Sequence, residues 1–483
     1  MNAARFLSSV SARRRRPQTP FGLRPSLCSS PWQQQQQQQS LSSLATSEAG
    51  SDDDLMLEDK PVRLQQQQKS RLQALRAQLR EEEAGNNVRK PTDPVAVWQT
   101  NGRTSSSSPS SSSSTKPLAI AEPQAVIDYR QLAANIPDLD TSQVLTDRFQ
   151  RQHSYLRISL TEKCNLRCTY CMPEDGVPLQ PAENLLQTHE ILTLAQHFST
   201  AGVTKFRLTG GEPTLRRDIV DVVAGLKALN PHLIGMTTNG ITLAKQLPDL
   251  VNAGLSSMNL SLDTLDAPKF AALTRRPAAY MDRVWQALEM AVGEFGGDNA
   301  RLVTKVNCVV QRGINDDEIA AFIRLTDQFP GLQVRFIEYM PFTSNGWNSN
   351  KLVPYQELLD NLVLNDGVVL QPEPSADPHD TTKWFRTATG GKIGFITSMT
   401  SHFCAGCNRV RLGADGQIKV CLFDGLSEIS LRDCLRQGLT ENEILKLVWS
   451  AVQKKKYSLG GHEDAEAISR DSDNNKPMTL IGG

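Results

Sequence analysis

The feature that most constrains the fold is an alternation of short apolar runs with helical stretches, which begins near Tyr155. The runs are rich in β-branched residues, and the order is typical of parallel strands joined by crossover helices in an α/β fold. Helices are predicted between the strands, over 215–229, 242–253, 280–295 and 316–329. Six strands are predicted, over 156–161, 203–209, 233–238, 257–263, 302–311 and 333–338. Six repeats are too few for a closed eightfold barrel.

Three cysteines directly follow the first predicted strand. Cys164, Cys168 and Cys171 form a C-x3-C-x2-C pattern. Three soft thiolates suit an iron–sulfur cube, which needs four ligands, so one iron is left open to a small molecule. Half of a zinc site is the alternative, but His153 and His189 are poorly spaced to complete it. A disulfide framework is disfavoured, because 9 cysteines in 483 residues without a secretory signal do not indicate an oxidising compartment.

A second set of three cysteines follows near the carboxyl end. Cys404 and Cys407 form a C-x2-C pair, and Cys421 follows after thirteen intervening residues. In isolation this spacing favours a zinc ribbon or a redox pair. Beside the first set, a second iron–sulfur site becomes the better hypothesis. We interpret the remaining cysteines as non-ligands, and Cys434 as a buried residue of a helix predicted over 427–437.

The amino-terminal part has an unusual composition. Residues 1–47 contain no Asp or Glu but six arginines, which is typical of an organellar transit peptide. The run of four arginines at 13–16 leaves a nucleic-acid-binding arm or nuclear signal as the alternative. Residues 48–142 carry glutamine and serine runs with little apolar surface, so a disordered linker is predicted.

Net charge and hydropathy exclude two classes of partner. Lys plus Arg equals Asp plus Glu at 52 each, so no net field favours a nucleic acid. No apolar run reaches the length of a membrane span, so no span is expected.

Short motifs recur where the predicted strands end. They are Gly210-Gly211-Glu212-Pro213, Thr237-Thr238-Asn239-Gly240, Ser261-Leu262-Asp263 and Glu338-Tyr339-Met340-Pro341. Each motif alone is more typical of a turn or of core packing. Active groups of α/β sheets nevertheless collect at the carboxyl ends of strands. Their joint occurrence with the cysteine motif therefore favours a functional site there.

The first cysteine motif resembles the signature of the radical S-adenosylmethionine (SAM) superfamily. The two cysteine sets together resemble one family within it, the GTP 3′,8-cyclases of molybdenum cofactor biosynthesis. The match covers roughly 145–483 and includes the runs at 156–159, 205–213, 335–342 and 408–412. The resemblance implies a partial (βα)6 barrel over 143–342 and a carboxyl-terminal auxiliary-cluster region over 343–483. It also implies two [4Fe–4S] clusters, with SAM bound at the open iron of the first cluster.

The resemblance also implies the chemistry. The first cluster gives an electron to SAM, and the radical that forms takes hydrogen from ribose C3′ of GTP. The C3′ radical adds to guanine C8, which gives (8S)-3′,8-cyclo-7,8-dihydro-GTP. A separate cyclic pyranopterin monophosphate synthase consumes this product, and an external reductant supplies electrons. Family members commonly dimerise, and their usual location in eukaryotes predicts the mitochondrial matrix, with a plastid as the alternative.

Site residues follow from the resemblance position by position. The implied SAM contacts are Tyr170, Gly211, Ser261 and Met340. The implied GTP contacts are Arg157, Arg207, Thr237, Lys305, Arg409, Val410 and Arg411. Arginine suits phosphate, and a charge inside a strand of a buried sheet is costly unless it is paired. The family also ends in a double glycine that reaches into the barrel, so Gly482 and Gly483 are predicted to be needed for turnover.

Two other functions compete with this interpretation. A radical SAM enzyme acting on a peptide also fits two cysteine sets, although such enzymes typically carry more cysteines. A non-enzymatic metal-binding or electron-transfer protein would need neither an open iron nor arginines inside the barrel. Neither alternative predicts specific binding of GTP.

Overall fold

One sheet organises the described residues. The computed structural model describes residues 127–297, 300–343, 345–424, 429–471 and 477–481. The predicted transit peptide, the predicted linker up to residue 126, and Gly482 and Gly483 lie outside the described residues.

Six parallel strands form the centre of this sheet in chain order. They are β1 (Tyr155–Ser159), β2 (Lys205–Thr209), β3 (Leu233–Thr238), β4 (Ser257–Ser261), β5 (Val303–Val310) and β6 (Gln333–Glu338). All six predicted strands are present. The apolar side chains of one face, such as Leu156 and Ile158, are fully buried against the helices.

The carboxyl-terminal region adds strands to both edges of this sheet. These are β7 (Leu370–Glu373), β8 (Lys383–Thr387), β9 (Lys392–Ile396), β10 (Arg409–Leu412) and β11 (Ile418–Lys419). β9 runs parallel to β6, and β10 runs parallel to β1. The complete order is β11-β10-β1-β2-β3-β4-β5-β6-β9-β8-β7. The sheet therefore continues across the boundary predicted at residue 342.

Helices cover the apolar face of the sheet and fill the carboxyl-terminal region. They are α1 (Tyr129–Ala134), α2 (Thr188–Thr200), α3 (Ile219–Ala228), α4 (Leu247–Ala253), α5 (Ala267–Thr274), α6 (Tyr280–Gly293), α7 (Ile319–Gln328), α8 (Tyr355–Leu364), α9 (Leu431–Arg436), α10 (Glu441–Gln453), α11 (Ala465–Arg470) and α12 (Met478–Ile481). Three predicted helices, α3, α4 and α7, begin later than expected. Short 3-10 turns at Pro213–Leu215 and Leu243–Lys245 precede the first two. Of the helices in the described ranges, none is long and apolar enough to cross a membrane.

Helix α1 corrects the predicted extent of the disordered linker, which was expected to continue to residue 142. Tyr129 is buried, and its hydroxyl accepts a hydrogen bond from the Ser430 N–H at 3.2 Å. The Arg130 guanidinium donates to the Gly438 carbonyl at 3.0 Å. A six-residue helix is marginal alone, so these distant contacts explain why sequence reasoning missed it.

Candidate active site

The first cysteine set lines a cavity at the carboxyl ends of the strands. Cys164, Cys168 and Cys171 all contribute to its wall. The ends of β2, β3 and β4 and the loops that follow them supply the opposite side, including Gly211, Thr237, Ser261 and Asp263. The structure thus brings together three of the four motifs that the sequence placed at strand ends, and the motif at 338–341 is not among the described residues that line this cavity.

Two glycines allow the loop after β2 to pack against the cysteine loop. The Gly211 N–H donates to the Thr161 carbonyl at 2.7 Å. A Cβ atom on Gly211 would lie 2.4 Å from the Lys163 carbonyl oxygen, and one on Gly210 would lie 2.5 Å from that of Thr161. Gly210 also has φ of +143°, which disfavours residues with a side chain. The chain segment leading into the cysteine motif is therefore held by backbone contacts that only glycine permits.

Glu212 ties this loop to the end of β3. Its carboxylate accepts hydrogen bonds from the Thr214 hydroxyl and the Thr238 hydroxyl, each at 2.6 Å, and from the Asn239 N–H at 2.7 Å. The side chain is buried, and burial raises its pKa despite these donors. Asn239 in turn donates to Asn165 of the cysteine loop at 2.7 Å. This chain of contacts fixes the cysteine loop relative to the sheet.

Three of the four predicted SAM contacts lie in the cavity wall, namely Tyr170, Gly211 and Ser261. The hydroxyl of Tyr170 donates to Asp263, and burial raises the pKa of that carboxyl to about 6. Met340 differs from the other three. It packs against a small apolar cluster that contains Phe342 and is not among the described residues that line the cavity.

The predicted phosphate-binding residues lie on the face of the sheet opposite the helices, which we call the inner face. Arg157, Arg207 and Arg411 stand in one row across β1, β2 and β10. Arg207 donates to the Tyr155 hydroxyl at 2.5 Å and lies against Gly235, where a Cβ atom would come within 2.8 Å of the guanidinium. Adjacent strands thus place three guanidinium groups side by side, an arrangement that favours a polyanion.

Burial and mutual repulsion lower the pKa of several of these cations. Burial, followed by the repulsion of Arg335 and Arg207, lowers the pKa of Lys305 to about 7. Burial also lowers the pKa of Arg411 to about 10, against the opposing influence of Cys421. Arg335, which the sequence analysis did not select, is buried on β6 with a pKa lowered by burial to about 10. Its position on the same face as Lys305 becomes visible only with the strand register.

Val410 differs from the other predicted substrate contacts in the direction of its side chain. It is fully buried in the hydrophobic core, between Arg409 and Arg411 in sequence. Successive side chains of a strand point to opposite faces, so Val410 faces the helices while its two neighbours lie on the inner face. Its side chain therefore does not belong to the basic surface.

The second cysteine set lies at the other end of the same strands. Cys404 and Cys407 precede β10, which runs parallel to β1, whereas the first set follows β1. Cys421 follows β11, which is antiparallel to β10 and so ends near the start of β10. From Tyr155 to Ser159, β1 spans roughly 13 Å at about 3.3 Å per residue. The basic inner face therefore separates the two cysteine sets.

Cations surround the second set. Lys455 is buried and donates to the Cys407 sulfur at 3.4 Å and to the Arg409 carbonyl at 2.8 Å. Burial tends to raise the pKa of Cys407, but Lys455 and then Arg409 outweigh it and lower the pKa to about 7. Arg151 donates to the Cys404 carbonyl at 2.8 Å and to Asp147 at 2.7 Å. Neither Lys455 nor Arg151 was found by sequence reasoning, since both lie far along the chain from the cysteines that they contact.

The last described residues of the chain reach the cavity of the first cysteine set. Met478 and Thr479 of α12 line the cavity of the first cysteine set. Met478 also packs against the apolar cluster that Cys404 contacts. Gly482 and Gly483 directly follow this helix in sequence but lie outside the described residues, so their predicted role stays a prediction.

Comparison with known proteins agrees with this arrangement. The Radical SAM superfamily model matches residues 158–326, and the Molybdenum Cofactor Synthesis C model matches residues 332–460. The Arabidopsis thaliana protein named "GTP 3′,8-cyclase, mitochondrial" is 50% identical over 351 residues, which cover 72% of this chain and 86% of that protein. The chain belongs to the GTP 3′,8-cyclase family. Its fold is the radical SAM partial barrel, as predicted.

Some relatives are longer than this chain. Human "Molybdenum cofactor biosynthesis protein 1" is 51% identical over 344 residues, which cover 70% of this chain and 51% of that protein. The chain thus spans about half the length of this relative. A crystal structure of Streptococcus suis SuiB aligns over 68% of this chain and 72% of that chain, with 14% identity and a TM-score of 0.40. A score this low bears on neither fold nor function.

Radical SAM membership implies a [4Fe–4S] cluster and SAM, and the first cysteine set fits such a group. Cys164 accepts a hydrogen bond from the Leu166 N–H at 3.4 Å, and burial raises its pKa to about 11. A metal is therefore needed to hold these buried sulfurs as thiolates. Within the described ranges, no three His, Cys, Asp or Glu side chains stand close enough to hold one metal ion. A cube carries its thiolates on separate irons, so its ligands stand farther apart than those of a single ion.

Proposed function

We propose that this chain converts GTP to (8S)-3′,8-cyclo-7,8-dihydro-GTP by radical SAM chemistry, the first step of molybdenum cofactor biosynthesis. One observation carries the proposal. A row of buried or half-buried arginines lies between two cysteine sets at opposite ends of adjacent parallel strands of one sheet. This arrangement suits a polyanionic nucleotide that is held between two metal clusters. Membership in the GTP 3′,8-cyclase family supports the same substrate.

The residues of the chain bind and orient the nucleotide. Arg157, Arg207 and Arg411 present forked donors to the triphosphate, and Lys305 adds a cation whose lowered pKa rises once an anion binds beside it. Thr237 lines the cavity of the first cysteine set, where the ribose is expected. When bound at Cys164, Cys168 and Cys171, a [4Fe–4S] cluster with SAM supplies the electron and the hydrogen-abstracting group. The packed inner face excludes water from this chemistry.

The second cysteine set is proposed to hold a second [4Fe–4S] cluster whose open iron binds guanine. The supporting observation is a set of three thiols, as at the first set. Three thiolates leave one iron of a four-iron cluster without a cysteine ligand. The proposal includes consumption of the product by a cyclic pyranopterin monophosphate synthase, an external reductant and a homodimer. The name of the Arabidopsis relative supports a mitochondrial location, which we propose to be the matrix.

Anaerobic reconstitution of the full chain with iron and sulfide tests this function. Incubation with SAM, dithionite and GTP is expected to yield 5′-deoxyadenosine in step with cyclised GTP, both followed by mass spectrometry. The matched control replaces GTP by ATP, which carries the same triphosphate on another base. SAM cleavage without loss of GTP would favour the peptide-modifying alternative, and zinc in place of iron would contradict both.

A further inference from the structure

Lys455 is a buried cation in hydrogen-bond contact with a cysteine of the second set. It lies two residues beyond the end of α10, in the sequence Lys454-Lys455-Lys456, and it alone of the three is buried. Its ammonium nitrogen lies 3.4 Å from the Cys407 sulfur and 2.8 Å from the Arg409 carbonyl oxygen. Burying a lysine costs free energy unless nearby groups compensate its charge. The hydrogen bond to the Cys407 sulfur supplies such compensation, so Lys455 has a specific role at the second cysteine set.

The first cysteine set has a different environment. The donors that reach the Cys164 sulfur are neutral, namely the Leu166 N–H at 3.4 Å and the Asn239 amide at 3.8 Å. The charged groups that act on this set include the carboxylates of Glu212 and Asp263 and the Arg167 guanidinium, which donates to the Cys164 carbonyl oxygen at 2.8 Å. The two sets share three thiols each, yet an ammonium group donates to a sulfur of the second set, whereas neutral donors reach the Cys164 sulfur of the first.

We propose that the Lys455 ammonium, hydrogen-bonded to the Cys407 sulfur, raises the reduction potential of the iron–sulfur cluster held by Cys404, Cys407 and Cys421. The inference rests on the proposed function, because it takes the second set to hold a cluster. Reduction adds negative charge to the cluster, and hydrogen bonds to its sulfurs and nearby cations stabilise that charge. Lys455 is thus a positioning residue that acts through Cys407.

Replacing Lys455 by methionine removes the charge and the donor while it keeps the length of the side chain. Lys454→Met is the matched control, because Lys454 is its exposed neighbour. Both changes are made in a full-length chain in which Cys164, Cys168 and Cys171 are alanine, so that only the second set can bind iron. Iron content and the midpoint potential, followed by electron paramagnetic resonance in a redox titration, are measured for each protein.

At a fixed solution potential, Lys455→Met is expected to lower the reduced-to-oxidised ratio about tenfold, which corresponds to about 59 mV for one electron. Lys454→Met is expected to leave the ratio unchanged. An unchanged midpoint in a fully loaded Lys455→Met protein would overturn the proposal. A merely structural role of Lys455 would lower the iron content without moving the potential of the clusters that remain.

A variant that keeps a donor but no charge covers the case in which Lys455→Met does not load iron. Lys455→Gln is then expected to load and to show a lowered midpoint. An unchanged midpoint in Lys455→Gln, or failure of both variants to load iron, would overturn the redox role and leave Lys455 as a residue for site assembly. If the parent with intact Lys455 binds no iron, the second-cluster assignment itself fails.

Discussion

The two cysteine sets differ most in the charges around them. At the first set, burial raises the pKa of Cys164 to about 11, and the Glu212 carboxylate adds to this effect. At the second set, Lys455 and Arg409 overcome burial and lower the pKa of Cys407 to about 7. Burial raises the pKa of Cys404 and Cys421 as well, so within the second set the lowered pKa belongs to Cys407, the thiol that Lys455 contacts.

This difference follows from where each set lies on the sheet. The first set follows β1, next to loops that carry buried carboxylates such as Glu212 and Asp263. The second precedes β10, next to the row of inner-face cations and to Lys455. Negative charges near a cluster disfavour its reduction, so they suit a cluster that is a strongly reducing donor. Positive charges stabilise the reduced cluster and also favour the binding of an anion. The comparison indicates that the sites have different tasks.

Removing one cysteine from each set gives the largest expected effect. Cys164→Ala is expected to abolish both SAM cleavage and cyclisation, because the first cluster loses a ligand. Cys407→Ala is expected to abolish cyclisation but to leave 5′-deoxyadenosine formation. Each variant is expected to lose the iron of one cluster only, as measured by iron analysis and mass spectrometry of the products.

Cys434→Ala serves as the control, because this buried thiol lies in α9 and belongs to neither set. It is expected to keep the iron content and both products. If Cys164→Ala and Cys407→Ala gave the same product profile, the division of tasks between the two sets would be wrong.

Arg151 offers a way to disturb the second set alone. Arg151→Met removes the ionic partner of the buried Asp147 carboxylate, which keeps only its backbone N–H donors and His153, and breaking a buried ion pair costs about 3–5 kcal/mol of folding free energy. It also removes the donor to the Cys404 carbonyl, so loss of iron from the second set is expected along with a lower melting temperature. Arg148→Met, at an exposed position of the same segment, should change neither quantity. Equal loss of iron from both sets would show that the segment supports the whole barrel.

Arg207 tests whether the space between the two sets binds an anion. Arg207→Met is expected to weaken GTP binding roughly 10- to 150-fold, because hydrogen bonds to charged groups contribute about 1.5–3 kcal/mol. The change relieves repulsion within the row of cations but removes the hydrogen bonds of Arg207 to the Tyr155 hydroxyl and the Met236 carbonyl, so the melting temperature of the ligand-free protein is measured beside the affinity. Equilibrium dialysis with GTP measures the affinity, and Arg217→Met, an exposed position, is the control. Unchanged affinity in Arg207→Met would place the triphosphate elsewhere.

The sequence predicted the features that depend on local pattern. The six central strands and the first cysteine set at their carboxyl ends follow from apolar periodicity and from motif spacing. β10 escaped prediction because its sequence, Arg-Val-Arg-Leu, is short and charged and becomes a strand only by pairing with β1. For the same reason the location of the second set at the opposite end of the sheet was not foreseen.

Contacts between distant residues could not be derived from local pattern. Arg151 and Cys404 are 253 residues apart, and Lys455 and Cys407 are 48 apart. No periodicity encodes such pairs. Strand geometry likewise sends the Val410 side chain to the face opposite that of Arg409 and Arg411, so the predicted contact of Val410 with the substrate stays a prediction.

The smallest expected effect is a pH dependence of folding stability. It comes from His153, which lies beside the Arg151–Asp147 pair that contacts the second cysteine set. His153 is fully buried, with its Nε2 3.4 Å from Asp147 Oδ2. Burial lowers the pKa of His153 to about 4, and the Lys455 and Arg151 cations oppose the raising influence of Asp147. Since the unfolded chain binds the proton with a pKa near 6.5, the unfolded state takes up more protons between pH 6.5 and 4. Stability therefore falls as the pH falls through this window.

From pH 6.5 to 5.5 the expected loss is about 1 kcal/mol. Melting temperatures across this range measure it, and His153→Asn is expected to remove this part of the slope. His189→Gln, an exposed position on α2, should keep the slope. Because Arg151 joins Asp147 to the second cysteine loop, acid should release iron from the second set before the first. Simultaneous loss from both sets would contradict a support that serves the second set alone.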